Sequence, residues 1–217
     1  MYNSSIGINL YFMIDVSGSM YGDKIQQVNT FVQDIIPVVQ DYADENRLDC
    51  YVRVLSFGEG FSWHIGNAEN GKWLNSFTWK NLNATARRTD TAKAVNELIR
   101  SINHQKSRGE QGNIIILITD GKSTENENLY FDACSALQAS LSPNDLKLAV
   151  ALDGSDRHEL ETFTKDAQNI FSLTDINNMK MAMPIMSCFE KYGAVSAQIA
   201  ATPAAKANNT PSSDDWI

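Results

Sequence analysis

Two apolar segments of this sequence each end in an aspartate. Residues 8–14 are followed by Asp15, and residues 114–119 are followed by Asp120. Such nearly continuous apolar runs are typical of strands that are covered on both faces of a parallel sheet. Ligands of open α/β sheets bind at the carboxyl ends of the strands. We therefore predict that the two aspartates lie at the same edge of one sheet.

Strand-like and helix-like segments alternate along the chain. After the first apolar run, Asp23 is placed to cap a helix whose apolar residues recur at helical spacing as far as Val39, and Pro37 is expected to kink it. The other predicted strands are residues 51–57, 61–65, 146–152 and 170–173, and the other predicted helices are residues 92–102, 129–141, 158–165 and 176–192. This alternation predicts an α/β fold, with a doubly wound, mostly parallel central sheet, one antiparallel edge strand and helices on both faces.

The composition changes near Gly193. Beyond it, Ala, Asn, Pro, Ser and Thr predominate without periodicity, a composition that cannot bury enough apolar surface to form a core. We predict one domain over residues 1–193 and a flexible, disordered tail over residues 194–217. Asp214, Asp215 and Trp216 are candidate partner contacts in that tail, and a solvated appendage is the alternative.

Charge and cysteine content argue against several functions. The formal net charge of −8 disfavours binding to nucleic acid, which requires concentrated Lys and Arg. Cys50, Cys134 and Cys188 form neither a CxxC pair nor a zinc-ligand pattern, which favours free, buried thiols. Neither a secretory signal nor an apolar run of about 18 residues occurs, so we expect a cytoplasmic protein that does not insert in a membrane.

The turn after the first predicted strand carries candidate metal ligands. Asp15, Ser17 and Ser19 are spaced so that one tight turn, eased by Gly18, directs a carboxylate and two hydroxyls at one point. An all-oxygen set of this kind suits a hard divalent cation. An ordinary polar turn that caps the following helix is the alternative interpretation.

The segment Asp15-Val-Ser17-Gly-Ser19 resembles the DxSxS signature of the metal-ion-dependent adhesion site in von Willebrand factor A (vWA) domains. Thr89, in RRTDTAKAV, resembles the family's threonine before a helix, and Asp120, in LITDG, resembles its distal aspartate. The resemblance covers roughly residues 8–192 and implies a Rossmann-like fold. It also implies a Mg²⁺ or Mn²⁺ ion held by Ser17, Ser19 and Thr89, with Asp15 and Asp120 contacting it directly or through water.

The resemblance implies a protein-binding module and not an enzyme. Hydroxyl ligands are neutral, so two carboxylates leave the metal electrophilic towards an acidic group from outside. The partner would offer an Asp, a Glu or a C-terminal carboxylate. The chain resembles most closely the small bacterial vWA proteins associated with tellurite resistance and stress. That resemblance implies an intracellular adaptor or scaffold that works with Ser/Thr kinases or PP2C-type phosphatases.

A metal-dependent hydrolase, similar to phosphatases that use a strand-end aspartate as the nucleophile, is the competing interpretation. Asp15 would be that nucleophile. The chemistry also needs an acid two residues further on to protonate the leaving group, and this position is Ser17. The sequence therefore favours binding over catalysis.

Three acidic residues, two of them outside the candidate ligand set, carry structural expectations. Asp90 is predicted to cap the helix that begins at Ala92, and Asp153 is predicted to form a turn with Gly154. Because Asp15 is expected to lie on the rim and not in the core, Asp15→Ala should abolish metal-dependent binding without disturbing the fold.

Overall fold

The structure is a computed structural model that describes residues 7–109, 112–121, 123–173 and 178–201. The strands of this part of the chain are β1 Gly7–Asp15, β2 Asp49–Gly58, β3 Gly60–Ile65, β4 Lys72–Trp73, β5 Gly112–Thr119, β6 Leu146–Ala151 and β7 Ile170–Ser172. Its α-helices are α1 Asp23–Glu45, α2 Thr91–Ser107, α3 Glu127–Ser140, α4 Arg157–Thr164 and α5 Asn178–Ala201.

One sheet contains all of these strands. Its order is β3-β2-β1-β5-β6-β7, and the two-residue β4 pairs with another part of β2. Strands β1, β2, β5, β6 and β7 pair in parallel, whereas β3 and β4 run antiparallel to β2. The predicted mostly parallel sheet with an antiparallel edge strand is confirmed. Strand β4 was not predicted, because two residues are too few to show a periodic pattern.

The central strand β1 is buried on both faces. Leu10 and Phe12 pack with residues of α1 and α5, whereas Tyr11 and Met13 pack with residues of α2 and α3 on the other face. All four side chains are at most 1% exposed. Since alternate residues of a strand point to opposite faces, only a strand covered on both sides requires an unbroken apolar run. The predicted layer of helices on each face is confirmed.

The order of the strands places an open crevice between β1 and β5. From β1 the chain passes through α1 to β2 on one side, and it later returns to β5 on the other side of β1. The connections that leave β1 and β5 therefore diverge, which is the arrangement that creates a binding crevice in doubly wound sheets. Asp15 is the last residue of β1, and Asp120 directly follows Thr119 at the end of β5.

Three predicted helix features differ from the structure. Asp23 is the first residue of α1 and not its cap, because Gly22 takes the cap position with a φ of 84°. The same helix extends beyond Val39 to Glu45 and contains Pro37 in its interior. Helix α5 continues to Ala201 instead of ending at Tyr192, in keeping with the alanine-rich sequence of this stretch.

The revised end of α5 affects the predicted tail. Residues 194–201 belong to the helix, whereas residues 202–217, which include Asp214, Asp215 and Trp216, lie outside the described residues. The flexible tail therefore stays a prediction, and it is now limited to residues 202–217.

The three cysteines are free, buried thiols, as the sequence predicts. Cys50, Cys134 and Cys188 are free and buried. Burial raises the pKa of Cys50 to about 12 and that of Cys134 to about 11, so both thiols stay protonated.

No helix in the described part of the chain combines the length and hydrophobicity that a membrane span requires.

Candidate metal centre

Asp15 ends β1 with a fully buried carboxylate. Its Oδ1 accepts a hydrogen bond of 2.8 Å from the Ser17 amide, and its Oδ2 accepts one of 2.8 Å from the Thr119 hydroxyl. Burial raises the pKa of Asp15, although the hydrogen bonds from Ser17 and Thr119 oppose that shift. A cation placed beside this carboxylate would favour its charged form.

The burial of Asp15 corrects one expectation. With 0% of its surface exposed, Asp15 is not a rim residue that can be truncated without consequence. Asp15→Ala would leave the Ser17 amide and the Thr119 hydroxyl without their acceptor, and an unsatisfied buried donor costs about 1–3 kcal/mol. Asn, which keeps the size and one carbonyl oxygen, is therefore the better substitution for testing this site.

A chain of hydrogen bonds connects Ser17, Ser19 and Asp120. The Oγ atoms of Ser17 and Ser19 lie 3.0 Å apart, and the Ser19 hydroxyl donates to Asp120 Oδ1 at 2.8 Å. Ser17 and Asp120 are each 4% exposed, whereas Ser19 faces solvent. With Asp15 bound to the Ser17 amide, four of the five predicted ligand residues form one hydrogen-bonded group.

Thr89, the fifth predicted residue, lies on the same cleft. Together with Ser17 and Ser19 it lines an open cleft of about 700 Å³. Its amide donates to Thr124 Oγ1 at 3.0 Å, and its carbonyl accepts from the Thr124 amide at 2.9 Å and from the Ser123 hydroxyl at 3.1 Å. The loop after β5 thus fixes the backbone of Thr89 from the other side of the crevice.

The role of Asp90 differs from the prediction. Asp90 occupies the cap position of α2, but its side chain makes no capping bond there. Its carboxylate instead accepts from the Gly60 amide at 3.1 Å and pairs with Lys93 at 2.5 Å. The Ala92 amide at the start of α2 donates to Glu125 Oε2 at 2.6 Å. A remote glutamate therefore caps the helix, and Asp90 ties the Thr89 loop to the turn between β2 and β3.

Residues 85–86, which precede Thr89, pack directly on the turn of residues 15–19. The amides of Thr85 and Ala86 both donate to the Val16 carbonyl at 3.0 Å, and Ala86 forms a parallel bridge with Ser17. Gly58 lies beneath this contact, where an added Cβ would stand 2.2 Å from the Ala86 Cβ. Ala86 can therefore approach the turn after Asp15 only because residue 58 has no side chain.

Lys24 contacts the candidate centre from the first turns of α1. Its ammonium group forms an ion pair with Asp120 Oδ2, while Asp120 Oδ1 accepts from Ser19. The side chain of Asp120 is 1% exposed and that of Lys24 is 31% exposed. The Asp120 carboxylate is therefore already paired with a positive charge at the edge of the candidate centre. Nothing in the local sequence pattern indicated this contact.

The donor set suits a hard divalent cation. It consists of three hydroxyls and two carboxylates, all of them oxygen donors, as Mg²⁺ prefers. Among the described residues, no three or more His, Cys, Asp or Glu side chains are grouped so as to hold a metal, so a centre at this crevice depends on the hydroxyls. Asp153 does not contribute, because it lies in an exposed turn in which Gly154 has a φ of 93°, as predicted.

Comparison with known families identifies the architecture. The family model described as the von Willebrand factor type A domain matches residues 9–183. No curated protein sequence matches the chain significantly.

Several solved structures share the fold at low sequence identity. Proximal thread matrix protein 1 from the mussel byssus, with a zinc-occupied MIDAS motif, is 14% identical with a TM-score of 0.55, over 86% of this chain and 46% of that chain. A von Willebrand factor type A protein from Catenulispora acidiphila is 15% identical with a TM-score of 0.58, over 88% and 42%. The pilus adhesin SpaC from Lactobacillus rhamnosus GG is 12% identical with a TM-score of 0.61, over 87% and 30%. The chain thus spans less than half of the length of each of these structures.

Proposed function

This chain belongs to the von Willebrand factor type A domain family, and from that premise we propose that it is a divalent-metal-dependent protein-binding module. The observation that carries the proposal is the hydrogen-bonded group of Asp15, Ser17, Ser19 and Asp120. Its two serines line one cleft together with Thr89, and its two carboxylates are buried behind them. A purely structural turn does not need three hydroxyls and two carboxylates from three separate loops at one crevice.

The five side chains would offer two kinds of oxygen ligand to an ion. Ser17, Ser19 and Thr89 would contribute neutral hydroxyl oxygens, and Asp15 and Asp120 would balance the charge directly or through water. When bound, the ion supplies a coordination position that the carboxylate of a partner can take. Three of the ligands are neutral hydroxyls, and a carboxylate that contacts the ion only through water offsets its charge less than a direct ligand does. The bound ion would therefore keep an attraction for an acidic group.

Mg²⁺ is the proposed ion, and Mn²⁺ fits the same oxygen donors. Zinc occupies the corresponding motif of the mussel byssus protein, so zinc belongs among the metals to be compared. Zinc favours nitrogen and sulfur ligands, and the donor set here offers neither.

The proposed partner is a protein that offers an Asp, a Glu or a C-terminal carboxylate. We further propose the role of an intracellular bacterial adaptor in stress or phospho-signalling, with a Ser/Thr kinase or a PP2C-type phosphatase as the partner. Support for this narrower role comes from the sequence resemblance to small tellurite-resistance vWA proteins. Binding is favoured over hydrolysis, since Ser17, two residues after Asp15, is engaged with Ser19 and is not an acid.

The test is retention of the protein on a surface that displays a short acidic peptide at high density, which compensates for weak single contacts. The probe is acetyl-Gly-Gly-Asp-Gly-Gly-amide, and the matched probe carries Asn in place of Asp. We expect retention on the Asp surface in Mg²⁺, with loss in EDTA, on the Asn surface and for Ser19→Ala. Ser107→Ala, on the exposed end of α2, is the matched control and should behave as the parent. Equal retention in Mg²⁺ and EDTA would contradict the proposal.

A further inference from the structure

We propose that the partner segment carries two acidic residues and that Arg87 selects the second of them. This inference rests on the proposed function, in which the first acid binds the metal. It adds a specificity-determining residue that the metal-ligand motif does not contain.

The composition of the cleft singles out Arg87. Among the residues that line it, Arg87 alone carries a formal charge, and Tyr21 alone is aromatic. The rest of the lining consists of small or hydroxyl-bearing residues, namely Ser17, Gly18, Ser19, Ala84, Thr85, Ala86, Thr89, Gly121 and Thr124. A partner segment would therefore meet little steric obstruction and one positive charge.

The charge of Arg87 is not neutralised inside the described structure. Two other cationic side chains near the candidate centre form ion pairs, Lys24 with Asp120 and Lys93 with Asp90. Arg88 is exposed but does not line the cleft. Arg87 is exposed, and none of the ion pairs between described residues includes it. In a chain with a formal net charge of −8, an uncompensated cation at a cleft is a point of complementarity to an acidic partner.

The backbone holds Arg87 at a set position relative to the candidate metal ligands. Ala86, the preceding residue, forms the parallel bridge with Ser17 and donates its amide to the Val16 carbonyl at 3.0 Å. Thr89, two residues after Arg87, is fixed by Thr124. The backbone of Arg87 is thus anchored on both sides by residues of the same centre, which sets the point from which its side chain extends beside the candidate metal ligands.

We infer that the partner segment is extended and carries acids at alternate positions. In an extended chain, residues i and i+2 lie on the same side and about 6.6 Å apart, so an acid-x-acid sequence presents both carboxylates to one surface. The first would reach the metal, and the second would form a charge-assisted pair with the Arg87 guanidinium. Tyr21, which is 80% exposed at the rim, offers a flat aromatic surface to the backbone of such a segment.

The experiment compares two peptides on three proteins in Mg²⁺ at low salt. The probes are acetyl-Gly-Gly-Asp-Gly-Asp-Gly-amide and the same peptide with Asn in place of the second Asp. The proteins are the parent chain, Arg87→Gln and the matched control Arg88→Gln, since Arg88 is also exposed but does not line the cleft. We expect the parent and Arg88→Gln to bind the two-acid peptide about three- to tenfold more tightly than the one-acid peptide. Arg87→Gln should bind both peptides as the parent binds the one-acid peptide.

The outcomes separate the two proposals. If Mg²⁺-dependent binding persists but the parent does not prefer the two-acid peptide, or if the preference survives in Arg87→Gln, the role of Arg87 is wrong and the metal-dependent module stands. If neither peptide binds in a Mg²⁺-dependent manner, both proposals fail. The preference should also shrink as the salt concentration rises, because the Arg87 pair is exposed to solvent.

Discussion

The hydroxyl of Ser19 donates a hydrogen bond of 2.8 Å to Asp120, although the two residues are 101 positions apart in the sequence. Ser19 belongs to the turn after β1, and Asp120 follows β5. They meet because β1 and β5 are neighbours at the point where the strand order reverses. The topology of the sheet therefore brings Asp120 to the turn that carries Asp15, Ser17 and Ser19, a contact that the local motif of that turn does not supply.

Lys24→Gln should strengthen metal binding. The Lys24 ammonium group pairs with Asp120, so a metal ion that uses this carboxylate must displace or tolerate a neighbouring positive charge. We expect the dissociation constant for Mg²⁺ to fall by roughly three- to tenfold at low salt. Calorimetric titration measures the change. Arg157→Gln, which removes an exposed ion pair with Glu161 on α4, is the control and should leave the affinity as it was.

Thr124→Val should weaken metal binding through Thr89. The Thr124 hydroxyl accepts the amide hydrogen of Thr89, and valine keeps the shape while removing this acceptor. The Thr89 loop would lose a fixed position, and we expect the affinity for Mg²⁺ to fall by about threefold or more. Thr124→Ser retains the hydroxyl and should restore the parent affinity. An unchanged affinity in Thr124→Val would show that Thr89 does not need this contact.

Gly58→Ala should damage both stability and metal binding. The new Cβ would stand 2.2 Å from the Ala86 Cβ and would push the segment before Thr89 away from the Asp15 turn. We expect a loss of about 1–3 kcal/mol in the free energy of unfolding by urea. The second substitution Ala86→Gly removes the clashing atom, so the double variant should recover most of the loss. A double variant no more stable than Gly58→Ala would contradict this packing explanation.

The sequence predicts the fold well, and the structure brings the five predicted ligand residues to one crevice. Their role as metal ligands stays a prediction. The apolar runs of β1 and β5 appear directly in the sequence because both faces are covered, and the aspartate after each run marks the edge of the sheet. The turn from Asp15 to Ser19 is local, so its spacing alone places its side chains. These features depend on periodicity or on neighbours in the chain, which a single sequence displays.

The sequence does not predict the contacts that support the centre. Glu125 caps α2 and Thr119 binds Asp15, but each contact joins residues from different loops or strands. Asp90 was predicted to cap α2 because aspartate favours that position, yet its carboxylate instead binds Gly60 and Lys93. Long-range pairing overrides a local propensity here. The extension of α5 to Ala201 was missed because alanine-rich sequence lacks the apolar periodicity that marks a packed helix.

A buried lysine away from the candidate centre makes stability depend on pH. Lys147 is 6% exposed on β6, donates to the Phe163 carbonyl at 2.5 Å, and has a pKa that burial lowers from 10.5 to about 8. Between those two values the unfolded chain holds the proton and the folded chain does not. Raising the pH through this interval therefore stabilises the folded state, and the contribution is lost again as the pH falls towards 8.

The comparison with Lys147→Met isolates that contribution. We expect the difference in unfolding free energy, parent minus variant, to rise by on the order of 1–2 kcal/mol between pH 7.5 and pH 10. Urea denaturation at the two pH values measures it. Lys80→Met, at an exposed position, is the control for the general effect of removing a lysine. A parent-minus-variant difference that does not change with pH would mean that Lys147 keeps its proton in the folded protein.

The most direct measurement is calorimetric titration of Mg²⁺ and Mn²⁺ into chelator-stripped protein, beside Asp15→Asn. It is made with and without acetyl-Gly-Gly-Asp-Gly-Asp-Gly-amide, because a partner carboxylate can supply a missing ligand. Matching thermal unfolding of the two proteins in EDTA would show that the substitution leaves the fold intact. The account predicts saturable binding at one site in the parent and a loss of at least tenfold in affinity in Asp15→Asn. Equal binding by both proteins, or none by the parent even with the peptide present, would contradict it.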